Sequence, residues 1–289
     1  MQVDVVVLTC NAGDLLSRLG QALVSQRGRR HARIIVIDSG STDGSPERAR
    51  AFADRIEGIP RAGFNHGSTR DLGARLAESD YVAFLSHDAV PVDEHWLDEL
   101  VAPLERQPNV AAAWSRHVPR PGHPPWVQRE VEESPNGAPD ERLISHTCAA
   151  DGGTRAARSL WLANTSSVYR RALLLDEPFG PASFGEDKLW QKRMMARGWD
   201  FFYAARSMVA HSHDLGFLPN LRRWQAESRL WRLTANRGPG GSSRLACLAM
   251  PVLGWLPALR SAARTPLCLW PRLISYYASA NVGHFLGCL

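Results

Sequence analysis

The sequence predicts an α/β fold with a mostly parallel central sheet flanked by helices. Apolar, partly β-branched runs typical of buried strands recur through the first 110 residues. Segments with leucines at helical spacing lie between these runs, and such alternation favours parallel strand pairing. With 289 residues, of which 44% are hydrophobic, the chain is long enough to bury a sizeable core.

The first part of the chain supplies three predicted strands, each ending in polar residues. Predicted helices alternate with these strands. The second helix is expected to begin at the Ser45-Pro46 pair, because proline suits a first helical turn. In chain order, we expect strands over 3–8, 33–37 and 81–85, and helices over 11–26, from 45, over 71–78 and over 95–106.

The second part of the chain is less regular. Segment 119–140 is rich in Pro and Gly and poor in periodicity, which predicts a long mobile loop and a candidate lid. Structure is expected to return near 159–164, followed by a helix over 186–196 capped by Gly198 and a strand that begins at 201–203.

The tail carries two apolar segments, 245–259 and 273–289, bordered by arginines. Each is shorter than the roughly 20 residues that a membrane-spanning helix needs. Two interpretations stay open: a peripheral membrane contact through 244–289, or a pair of helices that closes the core.

Composition narrows the class of protein. The net charge of +5 comes almost wholly from dispersed arginines, since Lys188 and Lys192 are the only lysines, and this distribution does not favour a nucleic-acid binder. The five scattered cysteines fit a reducing cytoplasm, and the first residues predict no signal peptide.

Carboxylates follow two of the predicted buried strands. Asp38 ends the second strand, where it can accept hydrogen bonds from a nucleoside, whereas Asp43 in the same turn more simply caps a helix. Asp88 follows the third strand and can bind Mg²⁺ or Mn²⁺ through a hard oxygen ligand. Because α/β sheets bind ligands at the carboxyl ends of their strands, both are candidate site residues.

Two further groups can take part in chemistry. Glu186 and Asp187 open a predicted helix, so one can act as a general base, although two acids at a helix N-terminus also stabilise the helix. His211 and His213 lie two apart, and in a strand both imidazoles would face one side as possible metal ligands.

Taken in order, these segments resemble the family 2 glycosyltransferases of the GT-A fold, and most of all the bacterial rhamnosyltransferases of polysaccharide assembly. The motifs that carry the resemblance are VVVLTCNAGDLLSRLGQALVSQ, IIVIDSGSTDGS, FLSHDAVPVDEHWLDEL, FGEDKLWQKRMMARGW and HSH. The resemblance covers roughly residues 3–230. It implies a GT-A (Rossmann-like) sheet with a C-terminal helical tail, and an inverting sugar transfer to a hydroxyl group.

The resemblance also implies a role for each matching position. Asp187, supported by Glu186, would be the catalytic base, and Asp88 with His211 or His213 would hold a divalent metal, Mg²⁺ or Mn²⁺, on the donor diphosphate. Asn164 and Trp161 would contact the acceptor. The nucleotide-sugar would be bound by a larger set: Thr9, Asp38, Ser41, Arg70, Asp71, Ser86 and His87.

The chain departs from the general family pattern at Ser86, where the first aspartate of an Asp-x-Asp signature would stand. Rhamnosyltransferases often carry a similar change. The resemblance therefore favours L-rhamnose or a related deoxyhexose from a dTDP-sugar, transferred to a lipid-linked glycan or polysaccharide. The alternatives are a UDP-hexose donor and a catalytically silent GT-A domain that serves as a membrane-associated scaffold.

Three segments are expected to divide these tasks. Residues 1–110 would form the nucleotide-sugar-binding half, 111–235 the acceptor-binding and catalytic half, and 236–289 an apolar, arginine-edged helical tail. The expected location is the cytoplasm, at the inner face of the plasma membrane.

Overall fold

The fold is described from a computed structural model, which covers residues 1–149, 160–235, 255–262 and 265–288. Buried aliphatic runs form the central strands. In β1 and β2 the last five residues of each strand are all buried. The strands are β1 (Gln2–Thr9), β2 (His31–Asp38), β3 (Arg55–Gly58), β4 (Tyr81–Ser86), β5 (Val90–Pro91), β6 (Val110–Val118), β7 (Arg142–Ile144), β8 (Ser166–Arg170) and β9 (Asp200–Ala210).

The helices follow local sequence signals closely. In the first helix, Leu16, Leu19 and Leu23 share one buried face. The helices are α1 (Asp14–Val24), α2 (Ser45–Ala49), α3 (His66–Leu76), α4 (Trp96–Arg106), α5 (Pro125–Glu132), α6 (Arg171–Asp176), α7 (Glu186–Ala196), α8 (Phe217–Ala235), α9 (Leu256–Ala262) and α10 (Trp270–Cys288). Within the described ranges, no helix is both long enough and apolar enough to cross a membrane.

The strands form one sheet in the order β3-β2-β1-β4-β8-β6-β9-β5, with β7 paired to β9. β1, β2, β3, β4, β6 and β9 run in one direction, so the sheet is mostly parallel as expected. In the register, Thr9 lies opposite Asp38 and Leu8 lies opposite Ser86. The carboxyl ends of β2, β1 and β4 therefore meet at one edge, which is where α/β sheets bind ligands.

The chain forms two compact units. The first comprises residues 1–118, 134–147 and 161–211 and contains the sheet together with α1–α4, α6 and α7. The second comprises residues 119–133, 148–160 and 212–289 and contains α5 and α8–α10. The two units are defined by the compactness of the fold and not by what each part binds. The predicted division into a nucleotide-sugar-binding segment (1–110), an acceptor-binding segment (111–235) and a tail (236–289) therefore stays a prediction.

In the second unit, α8 and α10 pack closely against each other. A Cβ atom added at Gly283 would lie 2.5 Å from the backbone carbonyl oxygen of Leu221. The backbones of α8 and α10 therefore come close together at Gly283, because glycine has no side chain to separate them. The Asn220 amide donates to the Ser279 hydroxyl at 2.9 Å between the same helices. One face of α10 thus closes a core, in line with one of the two interpretations of the tail. Most of 245–259 lies outside the described residues.

The structure corrects two sequence-based expectations. The loop expected over 119–140 contains α5, whose Trp126 and Val127 are buried against the aromatic and aliphatic side chains of α10. This packing stabilises a helix that periodicity alone did not reveal. Regular structure, expected to return near 159–164, returns slightly later as β8, which runs antiparallel between β4 and β6; Ser159 itself lies outside the described residues.

Candidate functional site

The nucleoside-binding prediction centres on Asp38 at the end of β2, which is only 6% exposed. Its carboxylate accepts hydrogen bonds from the backbone N–H and the hydroxyl of Ser41, at 2.9 and 2.5 Å. Two neighbouring hydroxyls, those of Thr9 and Ser39, are buried without a hydrogen-bond partner. A buried hydroxyl without a partner is costly, so this edge of the sheet offers unused donors and acceptors to a ligand.

Asp43 has the structural role that the sequence favoured. Its carboxylate accepts hydrogen bonds from the backbone N–H of Gly13 at 2.8 Å and from the Ser45 hydroxyl at 2.6 Å. These bonds lower the pKa of Asp43, the Ser45 bond contributing most. Asp43 thus ties the loop after β1 to the first residue of α2.

Strand pairing brings Asp88 to His211. The short strand β5 pairs antiparallel with β9, with Val90 opposite Ala210, so Asp88, two residues before β5, comes close to His211, the residue after β9. The Asp88 carboxylate lies 3.6 Å from Nε2 of His211, and both side chains are mostly buried. The His117 ring packs edge-on against His211 with centroids 5.0 Å apart.

His213 follows two residues later in the chain and stays the predicted third ligand. One carboxylate and two imidazoles form a donor set that suits Mn²⁺ or a similar transition metal, whereas Mg²⁺ prefers oxygen ligands throughout. The residues present therefore fit a divalent metal and leave positions for diphosphate oxygens. Ser86 adds no charge to this set.

Glu186 and Arg70 form a buried ion pair. Their side chains are each 5% exposed, and Nη1 of Arg70 lies 3.0 Å from Oε1 of Glu186. The same oxygen accepts a hydrogen bond from the side-chain amide of Asn164 at 2.8 Å. Burial, and next the positive charge of Arg70, lower the pKa of the neighbouring His66. The contacts with Arg70 and Asn164 thus fix the position of the Glu186 carboxylate and offset its negative charge.

Asp187 is held differently. Its Oδ2 accepts the backbone N–H of Asn164 at 3.0 Å, and its Oδ1 accepts the N–H of Lys188 at 2.7 Å. Asn164 thus contacts both adjacent acids, and its side-chain oxygen Oδ1 accepts the Tyr169 hydroxyl at 2.6 Å. Burial raises the pKa of Tyr169 well above its ordinary value, so the phenol stays a proton donor to Asn164.

Asn164 is only 2% exposed, and both of its side-chain polar atoms bond within the protein. This environment suits a residue that positions Glu186 and Asp187, and the predicted acceptor contact of Asn164 stays a prediction. Trp161 is half-buried near the start of this described segment.

Asp71 and Asn65 anchor the loop that leads into α7. The two carboxylate oxygens of Asp71 accept the backbone N–H groups of Phe179 and Gly180, at 2.9 and 3.0 Å. The amide oxygen of Asn65 caps α3 and also accepts the N–H of Ala182 at 2.9 Å. Asp71 therefore fixes the backbone of this loop, and its contact with the nucleotide-sugar stays a prediction.

Sequence reasoning missed several residues that build the site. Asn65 carried a local signal, because an asparagine before a helix is a strong N-cap candidate. Tyr169 and Ser39 carried none, since their importance follows from which strands pair. Among the predicted residues, His87 is half-buried, with its Nδ1 3.3 Å from the carbonyl oxygen of Leu8.

Comparisons with protein families, with curated proteins and with solved structures all find glycosyltransferases. The model of glycosyl transferase family 2 matches residues 4–161. The O-antigen chain rhamnosyltransferase WbaN of Salmonella anatum is 28% identical over 214 residues, which cover 72% of this chain. The chain spans 65% of the length of that relative, slightly less than two thirds.

Two solved structures share the fold. Mannosyltransferase PcManGT from Pyrobaculum calidifontis, in complex with GDP-Man and Mn²⁺, has a TM-score of 0.60 at 17% identity and covers 99% of this chain and 85% of its own. Glucosyl-3-phosphoglycerate synthase from Mycobacterium tuberculosis, in complex with Mn²⁺ and UDP, has a TM-score of 0.53 at 18% identity, with coverages of 81% and 77%. The two structures hold different nucleotides, GDP-Man and UDP.

Proposed function

The chain belongs to glycosyl transferase family 2, and from this premise we propose that it transfers L-rhamnose or a related deoxyhexose from a dTDP-sugar to a hydroxyl of a lipid-linked or polysaccharide acceptor. The transfer inverts the anomeric carbon. The donor is proposed because of the similarity to an O-antigen chain rhamnosyltransferase over 72% of the chain. A UDP-hexose donor is the alternative.

The observation that carries the proposed reaction is the meeting of Asp88 and His211, which are 123 positions apart in the chain but only 3.6 Å apart at the edge of the sheet. Asp88, His211 and His213 would hold the divalent metal. When bound, the metal offsets negative charge on the diphosphate and so makes it a better leaving group.

Asp187 is proposed as the general base that takes the proton of the acceptor hydroxyl. The contrast with Glu186 supports this assignment, because Glu186 pairs with Arg70 at 3.0 Å, whereas the ammonium of Lys188 lies 3.8 Å from Asp187. Each Asp187 oxygen accepts one backbone N–H, and a carboxylate oxygen has lone-pair capacity for a further donor. Glu186, Arg70 and Asn164 would then be positioning residues.

Asp38 with the unpartnered hydroxyls of Thr9 and Ser39 is proposed to bind the nucleoside. A carboxylate can accept the imide N–H of thymine or uracil, and hydroxyls can bond either to the base or to the sugar. Ser41, Arg70, Asp71, Ser86 and His87 stay predicted members of the donor site.

A peripheral contact with the inner face of the plasma membrane is proposed for the exposed face of α10. Four apolar residues of α10 are spaced four or eight positions apart, and the side chain of each is at least 37% exposed: Trp270, Ile274, Val282 and Leu286. Arg260 lies in the same unit and is exposed. Apolar side chains with an exposed cation in the same unit match the chemistry of an anionic bilayer surface.

Donor binding tests the proposal. Calorimetric titration of dTDP-rhamnose, UDP-glucose and GDP-mannose with Mn²⁺ should show tightest binding for dTDP-rhamnose, and Asp88→Ala should weaken it at least tenfold. Asp93→Ala is the matched control, since Asp93 lies on the same connection and its carboxylate accepts the backbone N–H of His95 at 2.9 Å. Absence of binding to all three donors would favour a silent scaffold.

A further inference from the structure

The second compact unit contains a pocket that the proposed reaction does not yet use. Its volume is about 290 Å³, near the lower end of the roughly 300–1,000 Å³ of small-molecule sites. Residues from α5, from the chain that follows the histidine pair and from the start of α10 line it, among them Trp126, Asp214, Gly216, Arg272, Ser275 and Tyr276.

The apolar part of the pocket combines two aromatic rings, Trp126 and Tyr276, with the aliphatic side chains of Leu215 and Pro271. Trp126 and Tyr276 are 1% and 5% exposed, and their ring centroids lie 6.5 Å apart. The Tyr276 hydroxyl bonds to the Glu130 carboxylate, which also pairs with Arg223, so the tyrosine ring is held in place. The indole N–H of Trp126 is buried without a hydrogen-bond partner. Such a group is expensive to leave unbonded and can be satisfied by a ligand oxygen.

The polar part is a charge pair. Nη2 of Arg272 donates to the Asp214 carboxylate at 2.6 Å, and the guanidinium is 59% exposed. Because the aspartate neutralises the arginine, the pocket does not favour a phosphate or another dianion. Both groups can still bond hydroxyls, the carboxylate as an acceptor and the guanidinium as a donor.

An aromatic surface beside a neutral pair of hydrogen-bonding groups suits a sugar ring, whose C–H face is apolar and whose edge carries hydroxyls. Asp214 directly follows His213, and consecutive Cα atoms are about 3.8 Å apart, so the pocket wall begins one residue from a candidate metal ligand. We propose that this pocket binds one neutral sugar residue of the acceptor glycan. The inference rests on the proposed glycosyl transfer.

The pocket can be filled at Gly216. A Cβ atom there meets nothing within 4 Å, and the backbone is not in the left-handed region, so Gly216→Trp introduces bulk without strain. Leu267→Trp introduces the same side chain at a residue of the same unit that is 77% exposed and does not line the pocket. Gly216→Trp should raise the acceptor KM by about tenfold or more, with donor hydrolysis unchanged. An acceptor KM equal to that of Leu267→Trp would overturn the proposal.

Binding can be measured without turnover. In ¹H–¹⁵N spectra of the full chain, methyl α-L-rhamnoside, methyl α-D-galactoside and methyl α-D-mannoside are titrated while the Trp126 indole N–H, assigned with Trp126→Phe, is followed. At least one glycoside should shift this signal saturably in the wild type and not in Gly216→Trp. No shift with any of them would contradict a sugar site.

The two measurements separate the two proposals. A saturable indole shift without transfer from any donor would remove the proposed function and leave a sugar-binding pocket. Transfer that is unaffected by Gly216→Trp would leave the function and remove the pocket.

Discussion

The buried Arg70–Glu186 pair gives a sharp prediction about stability. Replacing Arg70 with methionine keeps most of the side-chain volume. Among the residues that the structure describes, it leaves the Glu186 charge with the Asn164 amide, at 2.8 Å, as its remaining side-chain partner. Because both side chains of the pair are 5% exposed, water cannot readily solvate the remaining carboxylate. Removing one partner of a buried ion pair typically costs about 3–5 kcal/mol, and we expect Arg70→Met to lower the free energy of unfolding by about that amount.

Two variants complete the test. Arg70→Met combined with Glu186→Gln removes the uncompensated charge and should recover a large part of the loss, since a neutral amide can be buried more cheaply. Arg197→Met is the matched control, because Arg197 pairs with Asp176 at a similar 2.8 Å but with side chains 46% and 60% exposed. That exposed pair should be worth only about 0–1 kcal/mol.

Urea unfolding followed by circular dichroism measures all three changes, provided that the slope of unfolding free energy against urea is common to the variants. The reasoning would be refuted if Arg70→Met destabilised the protein no more than Arg197→Met. It would also fail if the double variant were less stable than Arg70→Met alone.

Three further predictions concern the second unit. Burial, and next the positive charge of Arg223, lower the pKa of His284 from 6.5 to about 4. Because the unfolded state therefore binds a proton at a higher pH than the folded state, the free energy of unfolding should fall by up to about 3 kcal/mol as the pH drops from 6.5 to 4. His284→Gln should flatten this pH dependence in denaturation curves measured across that range. Gly283→Ala should lower the melting temperature more than Gly216→Ala, because only the first added Cβ would meet a backbone oxygen at 2.5 Å. Ile274→Glu should reduce sedimentation with anionic vesicles by roughly tenfold, and equal sedimentation of variant and wild type would exclude this face of α10 as the lipid contact.

The sequence was informative where burial and local signals coincide. β1, β2 and β4 are continuous apolar runs because both faces of a central parallel strand are covered, and this made their ends, and so Asp38 and Asp88, recognisable. Gly198 ended α7 as expected, with a φ of 88° that glycine adopts without strain.

Other features depend on pairings between distant segments. β6 begins with Val110 and three alanines, and alanine has little preference for strands, so its position beside β9 follows from the tertiary fold. Arg70 and Glu186 lie 116 positions apart, and no local pattern links them. The two-residue strand β5, which brings Asp88 to His211, is too short to recognise without its partner β9.

The most direct test of glycosyl transfer with Asp187 as the base uses Asp187→Asn and Glu186→Gln beside the wild type. Each protein is given Mn²⁺, dTDP-rhamnose and a lipid-linked acceptor, and both donor affinity and the rate of transfer are measured. Asp187→Asn should bind the donor as the wild type does but transfer it about 10²–10⁴-fold more slowly. Transfer by Asp187→Asn at the wild-type rate would contradict the assignment of Asp187 as the base.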